Sequence, residues 1–167
     1  METVVREASP ADAPGLLDLQ RALDRESRFM LLEPDERAAD PADLRERLAR
    51  QAAQADPSFT IVADRRRPVG YVDVSVLPFR RSRRTGYLVM GVLESHAGQG
   101  VGRELLLAAA EHARDRDMRR LELTVMTHNR RAFHLYLSVG FLVEGLRRAA
   151  LEIEGGFADE YYMGLLL

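Results

Sequence analysis

The spacing of apolar residues along the chain switches between two periods, one typical of helices and one typical of strands. Apolar positions three or four residues apart predict four amphipathic helices. Short apolar runs, several of which alternate with polar residues, predict about six or seven strands. The helices are expected at Ser9 to Arg25, Asp40 to Ala52, Val101 to Arg116 and Asn129 to Val139.

The predicted strands occupy the remaining apolar segments. They are Val4 to Ala8, Phe59 to Asp64, Val69 to Leu77, Gly86 to Val92, Leu121 to Val125, Phe141 to Ile153 and Phe157 to Leu166. The third helix connects two strands, which predicts a β-α-β crossover with parallel strands. Short turns join other neighbours into antiparallel hairpins. We therefore expect a mixed α/β sheet with about four helices.

Capping residues support these bounds. The segment Ser9 to Asp12 combines a capping serine, a proline at the first helical position and an acidic residue in the first turn, which is typical of a helix start. Asp40-Pro41 begins the second helix in a similar way. Gly140 follows the fourth helix and is expected in a left-handed conformation.

Length and composition bound the class of protein. A chain of 167 residues, of which 46% are hydrophobic, is expected to form a single domain over residues 1–167. The absence of cysteine excludes disulfides, thiolate metal sites and a cysteine nucleophile. The four histidines lack the spacing of metal ligands, so we expect no metal site.

The balance of charges argues against nucleic acid as a partner. The 24 basic residues are all arginine and are offset by 26 acidic residues, which leaves a net charge of -2. No apolar run is long enough to span a bilayer, and the first residues do not resemble a signal peptide. We therefore expect no membrane partner and a cytoplasmic location.

Three alternate glycines stand at the junction between a strand and a helix. Gly98, Gly100 and Gly102 follow the strand that ends at Val92, and the third helix begins among them. Glycines let successive backbone N–H groups point into one concavity, and the helix adds free amides and the positive end of its dipole. The junction therefore predicts an anion site, most naturally for phosphate. Glycines in loops also serve simply to turn the chain.

The glycine spacing excludes the commonest phosphate motifs. A P-loop needs a lysine, and the chain contains none. A dinucleotide fingerprint that begins at Gly98 or at Gly100 meets Arg103 or Leu105 in place of its third glycine. What remains is a pyrophosphate cradle that works without lysine, and coenzyme A is the common cofactor that needs one.

Four segments in the second half of the chain form an ordered set of motifs. They are Gly98-Gln99-Gly100-Val101-Gly102, Leu121-Glu122-Leu123-Thr124-Val125, His128-Asn129-Arg130-Arg131-Ala132, and Leu135-Tyr136 to Gly140-Phe141. This set resembles the GNAT superfamily of N-acetyltransferases. The end of the chain, from Phe141-Leu142-Val143-Glu144-Gly145 to Asp159-Glu160-Tyr161-Tyr162-Met163, resembles a bacterial branch of that superfamily that acetylates amino acids and small amines. The resemblance implies a GNAT-like fold in which two neighbouring parallel strands splay apart, here Gly86 to Val92 and Leu121 to Val125.

The resemblance also implies acetyl-CoA as the cofactor, with its pantetheine arm in the gap between the splayed strands. The implied binding residues are Met90, Gly91 and Val92 for the pantetheine arm, and Gly98, Gln99, Gly100, Val101, Gly102 and Arg103 for the pyrophosphate. Asn129 matches a further cofactor contact, although it is also an ordinary helix cap. Gly91 in a strand is also compatible with a simple bulge.

Tyr136 occupies the position where the family keeps its general acid. A phenol of pKa about 10 would protonate a thiolate whose conjugate acid has a pKa of about 8.5 at a cost of roughly 2 kcal/mol. Proximity can offset that cost. The alternative is a tyrosine that only packs its ring within the helix core.

The sequence departs from the family pattern at two positions. Ala97 stands where the family usually begins its loop with arginine or glutamine, which removes one phosphate contact. Thr124 stands where some relatives carry a glutamate that acts as general base, and threonine cannot take a proton. The candidates for the base are Glu33, Glu94 and a water held near Thr124.

The amine acceptor is less clearly specified. The segment Phe29 to Pro34 is more apolar than a solvated loop, and it either borders the acceptor site or plugs the core. Arg80 to Arg84 is either a solvated loop or a clamp on an acidic part of the cofactor. The terminal hairpin offers an apolar edge that is compatible with a homodimer.

The sequence therefore predicts direct transfer of acetyl from acetyl-CoA to a primary amine of a small molecule, such as an amino acid. Two alternatives stay open. One is a non-catalytic module that senses acyl-CoA, and the other is an acetyltransferase that acts on a protein N-terminus.

Overall fold

Seven strands and four helices make up the architecture of the computed structural model, which describes residues 2–37 and 40–167. The strands are β1 Val4–Glu7, β2 Phe59–Asp64, β3 Pro68–Val76, β4 Thr85–Val92, β5 Arg120–Met126, β6 Leu142–Ile153 and β7 Gly156–Leu166. The helices are α1 Ala13–Glu26, α2 Ala42–Ala52, α3 Val101–Asp115 and α4 Arg130–Val139. The mixed α/β class and the element order predicted from the sequence are confirmed.

All seven strands join one sheet in the order β1-β2-β3-β4-β5-β7-β6. Neighbours pair antiparallel except β4 and β5, which are parallel and are connected through α3. This connection is the predicted β-α-β crossover. The terminal hairpin lies at the sheet edge because β7 inserts between β5 and β6.

The two parallel strands separate along their length. Their ladder holds three residue pairs, from Thr85 with Arg120 to Tyr87 with Glu122. Beyond this point β4 continues to Val92 and β5 to Met126 without pairing with each other. The predicted splay is therefore present, and it opens a gap in the middle of the sheet at the carboxyl ends of both strands.

Helices cover both faces of the sheet. Because side chains alternate along a strand, neighbouring residues of β3 belong to different clusters. Val72 packs with Leu105 of α3 in a cluster that also includes residues of α4. Tyr71 packs on the opposite face with Leu16 of α1 and Leu48 of α2. The gap between β4 and β5 thus connects a face covered by α3 and α4 with a face covered by α1 and α2.

The capping signals in the sequence take their expected form. The backbone N–H of Ser9 donates to the Asp12 carboxylate over 2.7 Å in a short 3₁₀ turn that precedes α1. The N–H of Ala42 donates to Asp40 over 2.8 Å at the start of α2. Gly140 ends α4 with a φ of 111°, as predicted for a left-handed cap.

Among the helices of the described residues, none combines the length and the apolar character needed to cross a membrane.

Candidate active site

A cavity of about 840 Å³ occupies the gap between the splayed strands. Its walls come from the second halves of β4 and β5, the glycine loop with the start of α3, one side of α4, the segment after α1, and the terminal hairpin. The cavity therefore reaches both faces of the sheet. An elongated ligand can enter along α3 and meet a second molecule on the side of α1.

The glycine loop forms one end of this cavity. Gly98 and Gly100 have φ values of 71° and 85°, in the left-handed region where side chains are strained. A Cβ atom added to Gly100 would meet no protein atom within 4 Å, and Gly100 lines the cavity. The space in front of this backbone therefore admits a ligand, as a pyrophosphate cradle requires.

The first turn of α3 supplies hydrogen-bond donors to the same place. The earliest bond closing this helix runs from the N–H of Glu104 to the carbonyl of Gly100 over 3.0 Å. The amides of residues 101–103 precede it, and amides in this position have no partner within a helix. Together with the helix dipole they favour an anion.

Two arginines add positive charge near the loop. Arg131 of α4 reaches across it, because its Nη2 lies 3.7 Å from the position that a Cβ on Gly98 would take. Its Nη1 donates to Glu94 over 3.2 Å. Arg103 donates to the carbonyl of Ser138 over 3.2 Å. Arg131 thus provides a guanidinium beside the loop, where the alanine at position 97 provides none.

The remaining loop residues have structural roles as well. Gln99 turns its side chain to the carbonyl of Ser95 over 3.0 Å and accepts a bond from Arg65. Val101 is fully buried in the core. Neither side chain lines the cavity, so any contact from these two residues to a ligand would come from the backbone.

The residues predicted to hold the pantetheine arm lie along the gap. Met90, Gly91 and Val92 pair with β3 on one side of β4 and line the cavity on the other. Because β4 has no β5 partner here, its backbone groups on that side are available to an extended ligand. A Cβ on Gly91 would lie 2.6 Å from Leu23 of α1. Gly91 therefore allows α1 to approach the strand and is not a bulge in the β3–β4 register.

Tyr136 lies on α4 and lines the same cavity. Tyr136 is buried, and its ring packs edge-on against that of Phe141 with the ring centroids 5.8 Å apart. The hydroxyl of Tyr136 has no hydrogen-bond partner among the described residues. Every buried polar side-chain atom of those residues does have a partner, so this hydroxyl is not among the buried atoms. The hydroxyl must therefore face the open cavity. Burial raises the pKa of Tyr136 above its ordinary value, and the nearby Tyr87 and Tyr71 raise it further, so the phenol stays protonated.

Asn129 caps α4 and also lines the cavity. Its Oδ1 accepts a hydrogen bond from the N–H of Ala132 over 3.2 Å. The cap uses the carbonyl oxygen, which leaves the amide NH₂ group for a ligand. The two functions expected for this residue are compatible.

The three candidates for the base lie in different surroundings. Thr124 lines the cavity and shares a hydrogen bond of 2.7 Å with the hydroxyl of Tyr87. Glu94 lines the cavity mouth and is paired with Arg131. Glu33 is exposed and does not line the cavity, and its backbone N–H donates to the Glu36 carboxylate over 2.8 Å. Of the three candidates, Glu33 thus lies outside the cavity.

The apolar segment after α1 borders the cavity. Phe29, Met30 and Leu31 line it, and the ring of Phe29 contacts the ring of His128 at 5.2 Å. His128 follows β5, so this contact links the segment after α1 to the carboxyl end of that strand. The segment has both of the predicted roles in part, because it lines the cavity and Met30 also packs against the core cluster under α1 and α2.

An ion pair fixes this segment to α1. Asp24 is fully buried, and its carboxylate accepts two hydrogen bonds from the guanidinium of Arg37, with Nη2 to Oδ1 at 2.9 Å. Gln20 accepts a third bond from the same guanidinium.

The arginine cluster from Arg80 to Arg84 does not line the cavity, and Arg84 pairs with Asp117 at the opposite end of β4. This cluster thus lies away from the cavity, as expected of a solvated loop.

Two functional candidates on the terminal hairpin were missed in the sequence. Arg147 and Glu160 line the cavity and form an ion pair with an N–O distance of 2.6 Å. The alternation of β7 could have indicated a buried glutamate, since Glu160 stands between apolar positions of the strand. Nothing local could have indicated that Arg147 meets it.

No group of histidine, cysteine and carboxylate side chains suited to a metal ion occurs in the described part of the chain.

Comparisons with known proteins agree with this geometry. The model of the Acetyltransferase (GNAT) family matches residues 19–141. The acetyltransferase of the GNAT family from Streptococcus pneumoniae superposes with a TM-score of 0.94 at 32% identity, covering 99% of this chain and 100% of that one. YncA from Salmonella typhimurium, solved with its cofactor acetyl-CoA, superposes over the whole chain and 95% of its own with a TM-score of 0.86 at 21% identity.

A curated relative resembles part of the chain. The N-alpha-acetyltransferase RimI of Mycobacterium tuberculosis is 38% identical over 99 residues. This match spans 57% of the chain and 57% of the relative.

Proposed function

Because the chain belongs to the Acetyltransferase (GNAT) family, we propose that it transfers an acetyl group from acetyl-CoA to a primary amine of a small molecule. Family membership confirms three expectations from the sequence. These are the resemblance itself, the acyltransferase class, and acetyl-CoA as the cofactor.

One observation carries the proposal. A single cavity joins the glycine loop, the gap between β4 and β5, the free hydroxyl of Tyr136 and a pocket walled by Phe29 to Leu31. The residues fit the cofactor because the loop leaves space in front of Gly100 and collects amides and guanidinium groups there. When bound, acetyl-CoA supplies an activated thioester carbonyl.

We infer that Tyr136 assists the departure of the thiolate. The amine nitrogen attacks the thioester carbonyl carbon, the C–S bond breaks, and its electron pair stays on sulfur. The raised pKa of Tyr136 makes complete proton transfer to the thiolate more uphill than for a free phenol. Its hydroxyl therefore acts chiefly as a hydrogen-bond donor to the sulfur, and such a bond to a charged group contributes about 1.5–3 kcal/mol.

The amine must lose a proton, and the cavity offers a polar pair for this step. Tyr87 and Thr124 lie on the acceptor side of the gap and are hydrogen-bonded to each other. We propose that water held by this pair carries the proton away. A free primary amine of pKa about 10 is partly neutral near pH 8, so the transfer should speed up as pH rises through this range.

The segment after α1 supports a small molecule as the acceptor. The contact between Phe29 and His128 and the ion pair of Arg37 with Asp24 hold this segment beside the cavity, where it narrows the space left for an acceptor. A polypeptide N-terminus is the second candidate, because the partly matching relative is named for transfer to an α-amino group.

A panel of acceptors distinguishes the two candidates. Values of kcat/KM are measured with acetyl-CoA for free amino acids, simple amines and polyamines, and for short peptides with free N-termini. We expect at least one small amine to exceed every peptide. A peptide that exceeds every small amine would contradict the small-molecule assignment and leave the acetyl transfer intact.

We also propose a homodimer in the cytoplasm, formed through the terminal hairpin. Strand β6 is a sheet edge, and Leu142, Leu146 and Phe157 of the hairpin are 67%, 51% and 73% exposed. Apolar edges of this kind associate readily. Sedimentation at micromolar concentration that detects monomer alone would contradict the dimer.

A further inference from the structure

An ion pair on the terminal hairpin stands on the proposed acceptor side of the cavity and takes no part in the proposed transfer. Arg147 of β6 donates to Glu160 of β7 through Nη1 over 2.6 Å. The Glu160 side chain is 9% exposed, whereas that of Arg147 is 51% exposed. Both line the cavity. Glu160 is therefore the buried member of the pair, and the guanidinium of Arg147 is the part that a ligand in the cavity can reach.

The position of Glu160 follows from strand register. Glu160 lies directly opposite Met126 of β5, two residues beyond Thr124 on the same face. Two residues of a strand span about 7 Å. Along the strand direction, the ion pair is thus offset from the Tyr87–Thr124 pair by about this distance. Such an offset suits an acceptor that carries a second functional group near its amine.

A bulge in β6 next to Arg147 determines which residue of β7 lies opposite this arginine. The register between β6 and β7 shifts between Arg147 and Leu151. Within the shift Ala149 has a φ of 49°, and its N–H donates to the Asp159 carboxylate over 2.7 Å. Bulges redirect side chains next to active sites. Here Arg147 and Leu151 both reach the cavity although β6 is otherwise mostly exposed.

The guanidinium retains capacity for a ligand. Arginine carries five N–H donors, and among the described residues Arg147 donates only to Glu160. A planar guanidinium with a free edge binds carboxylates through two parallel hydrogen bonds. Glu160 keeps that group in place because its buried carboxylate would otherwise lack a counterion.

We propose that Arg147 binds a carboxylate of the acceptor, so that the substrate is an amine bearing a nearby carboxylate, as in an α-amino acid. This inference rests on the proposed function, since it names the acceptor of that reaction. Arg147 determines specificity, and Glu160 is a positioning residue that holds it. An acceptor with an amide or a hydrogen atom in place of the carboxylate would gain no such contact.

The test compares matched acceptors that differ only in this group. The series are alanine, leucine and phenylalanine, each with its carboxamide and its decarboxylated amine. Their kcat/KM values are measured for the wild-type protein and for Arg147→Gln. Differences in amine pKa between acceptors cancel in the comparison of the two proteins.

A second readout does not depend on turnover. Thermal stabilisation by N-acetyl amino acids and by their amides is measured in the presence of CoA, because a ligand that binds the folded state raises its melting temperature. Arg148→Gln is the matched control. Arg148 is the next residue, is exposed and does not line the cavity.

We expect the wild-type protein to prefer the acid to the amide, and Arg147→Gln to reduce that preference by about 10- to 100-fold, the value of a charged hydrogen bond. Arg148→Gln should retain it. Arg147→Gln leaves the buried carboxylate of Glu160 without a counterion, which could destabilise the fold. A second variant therefore combines Arg147→Gln with Glu160→Gln, so that two neutral amides can pair. It should fold and also lose the preference.

The outcomes separate this inference from the function on which it rests. An unchanged acid preference in both Arg147 variants, or a wild-type protein that acetylates amides and acids equally, would overturn the inference while acetyl transfer stands. Selective stabilisation by the acids without turnover of any acceptor would support the carboxylate site and overturn the proposed reaction. Stabilisation by neither acids nor amides, with peptides alone acetylated, would overturn the inference as well.

Discussion

Replacing Gly100 by alanine tests the cofactor cradle directly. Gly100 is the N-cap of α3, with a φ of 85°, and a Cβ placed there would enter space that no protein atom occupies within 4 Å. The change therefore adds one methyl group to the wall that should face the pyrophosphate. It removes no side-chain contact and closes no gap in the core.

Two effects of different size are expected. Forcing a residue with a side chain into the left-handed region costs the folded state about 1–2 kcal/mol. The methyl group also keeps phosphate oxygens from the backbone amides of the loop. Losing one charge-assisted hydrogen bond costs about 1.5–3 kcal/mol, so the affinity for acetyl-CoA should fall roughly 10- to 100-fold.

Gly155 offers a matched control. It lies in the turn between β6 and β7 with a φ of 79°, and a Cβ there also meets nothing within 4 Å. Gly155→Ala should lower the free energy of unfolding by a similar amount without changing acetyl-CoA affinity. Denaturant titration and isothermal calorimetry measure the two quantities. If Gly100→Ala bound acetyl-CoA as tightly as Gly155→Ala, the glycine loop would not be the pyrophosphate site.

Two further predictions concern single side chains. Tyr136→Phe keeps the buried ring, so the affinity for acetyl-CoA and the thermal stability should not change. The variant lacks the hydrogen bond to sulfur, and its kcat should therefore fall about 10- to 100-fold. A near-native kcat would show that the departing thiolate needs no hydrogen-bond donor. Asp12→Asn should lower the free energy of unfolding at pH 7 by roughly 1–2 kcal/mol. Arg6 holds the pKa of Asp12 well below its ordinary 3.8, so this stabilisation is present above pH 3.8 and is lost as pH falls through the lower folded-state value. Denaturation of both proteins across that range should therefore show the difference shrinking in acid, and a constant difference would refute the linkage.

Features determined by local sequence were predictable. The loop from Gly98 to Gly102 needs positive φ and free amides, and glycine placement alone indicates both. The parallel strands follow from the β-α-β order, although their separation after Tyr87 was implied by the family resemblance. The placement of Tyr136 was inferred from the same resemblance, since one tyrosine on a helix gives no direction.

Features that depend on distant contacts were not predictable in this way. Glu33 is a candidate base because it is the one ionisable group of the apolar segment Phe29 to Pro34, but it is exposed and lies outside the cavity. Arg147 meets Glu160 only because a bulge shifts the strand register. Arg131 reaches the glycine loop because α4 packs beside α3, a contact that Gly102 permits since a Cβ there would lie 3.0 Å from Leu135.

The proposed function requires that the cavity catalyse acetyl transfer to an amine and not merely bind the cofactor. The most direct measurement follows release of the CoA thiol and formation of N-acetylated product together, with acetyl-CoA and a panel of amines. Thiol and product should appear in equal amounts, only when an acceptor amine is present. Stabilisation of the fold by acetyl-CoA without amine-dependent thiol release for any amine or peptide would contradict the account and identify a protein that senses acyl-CoA.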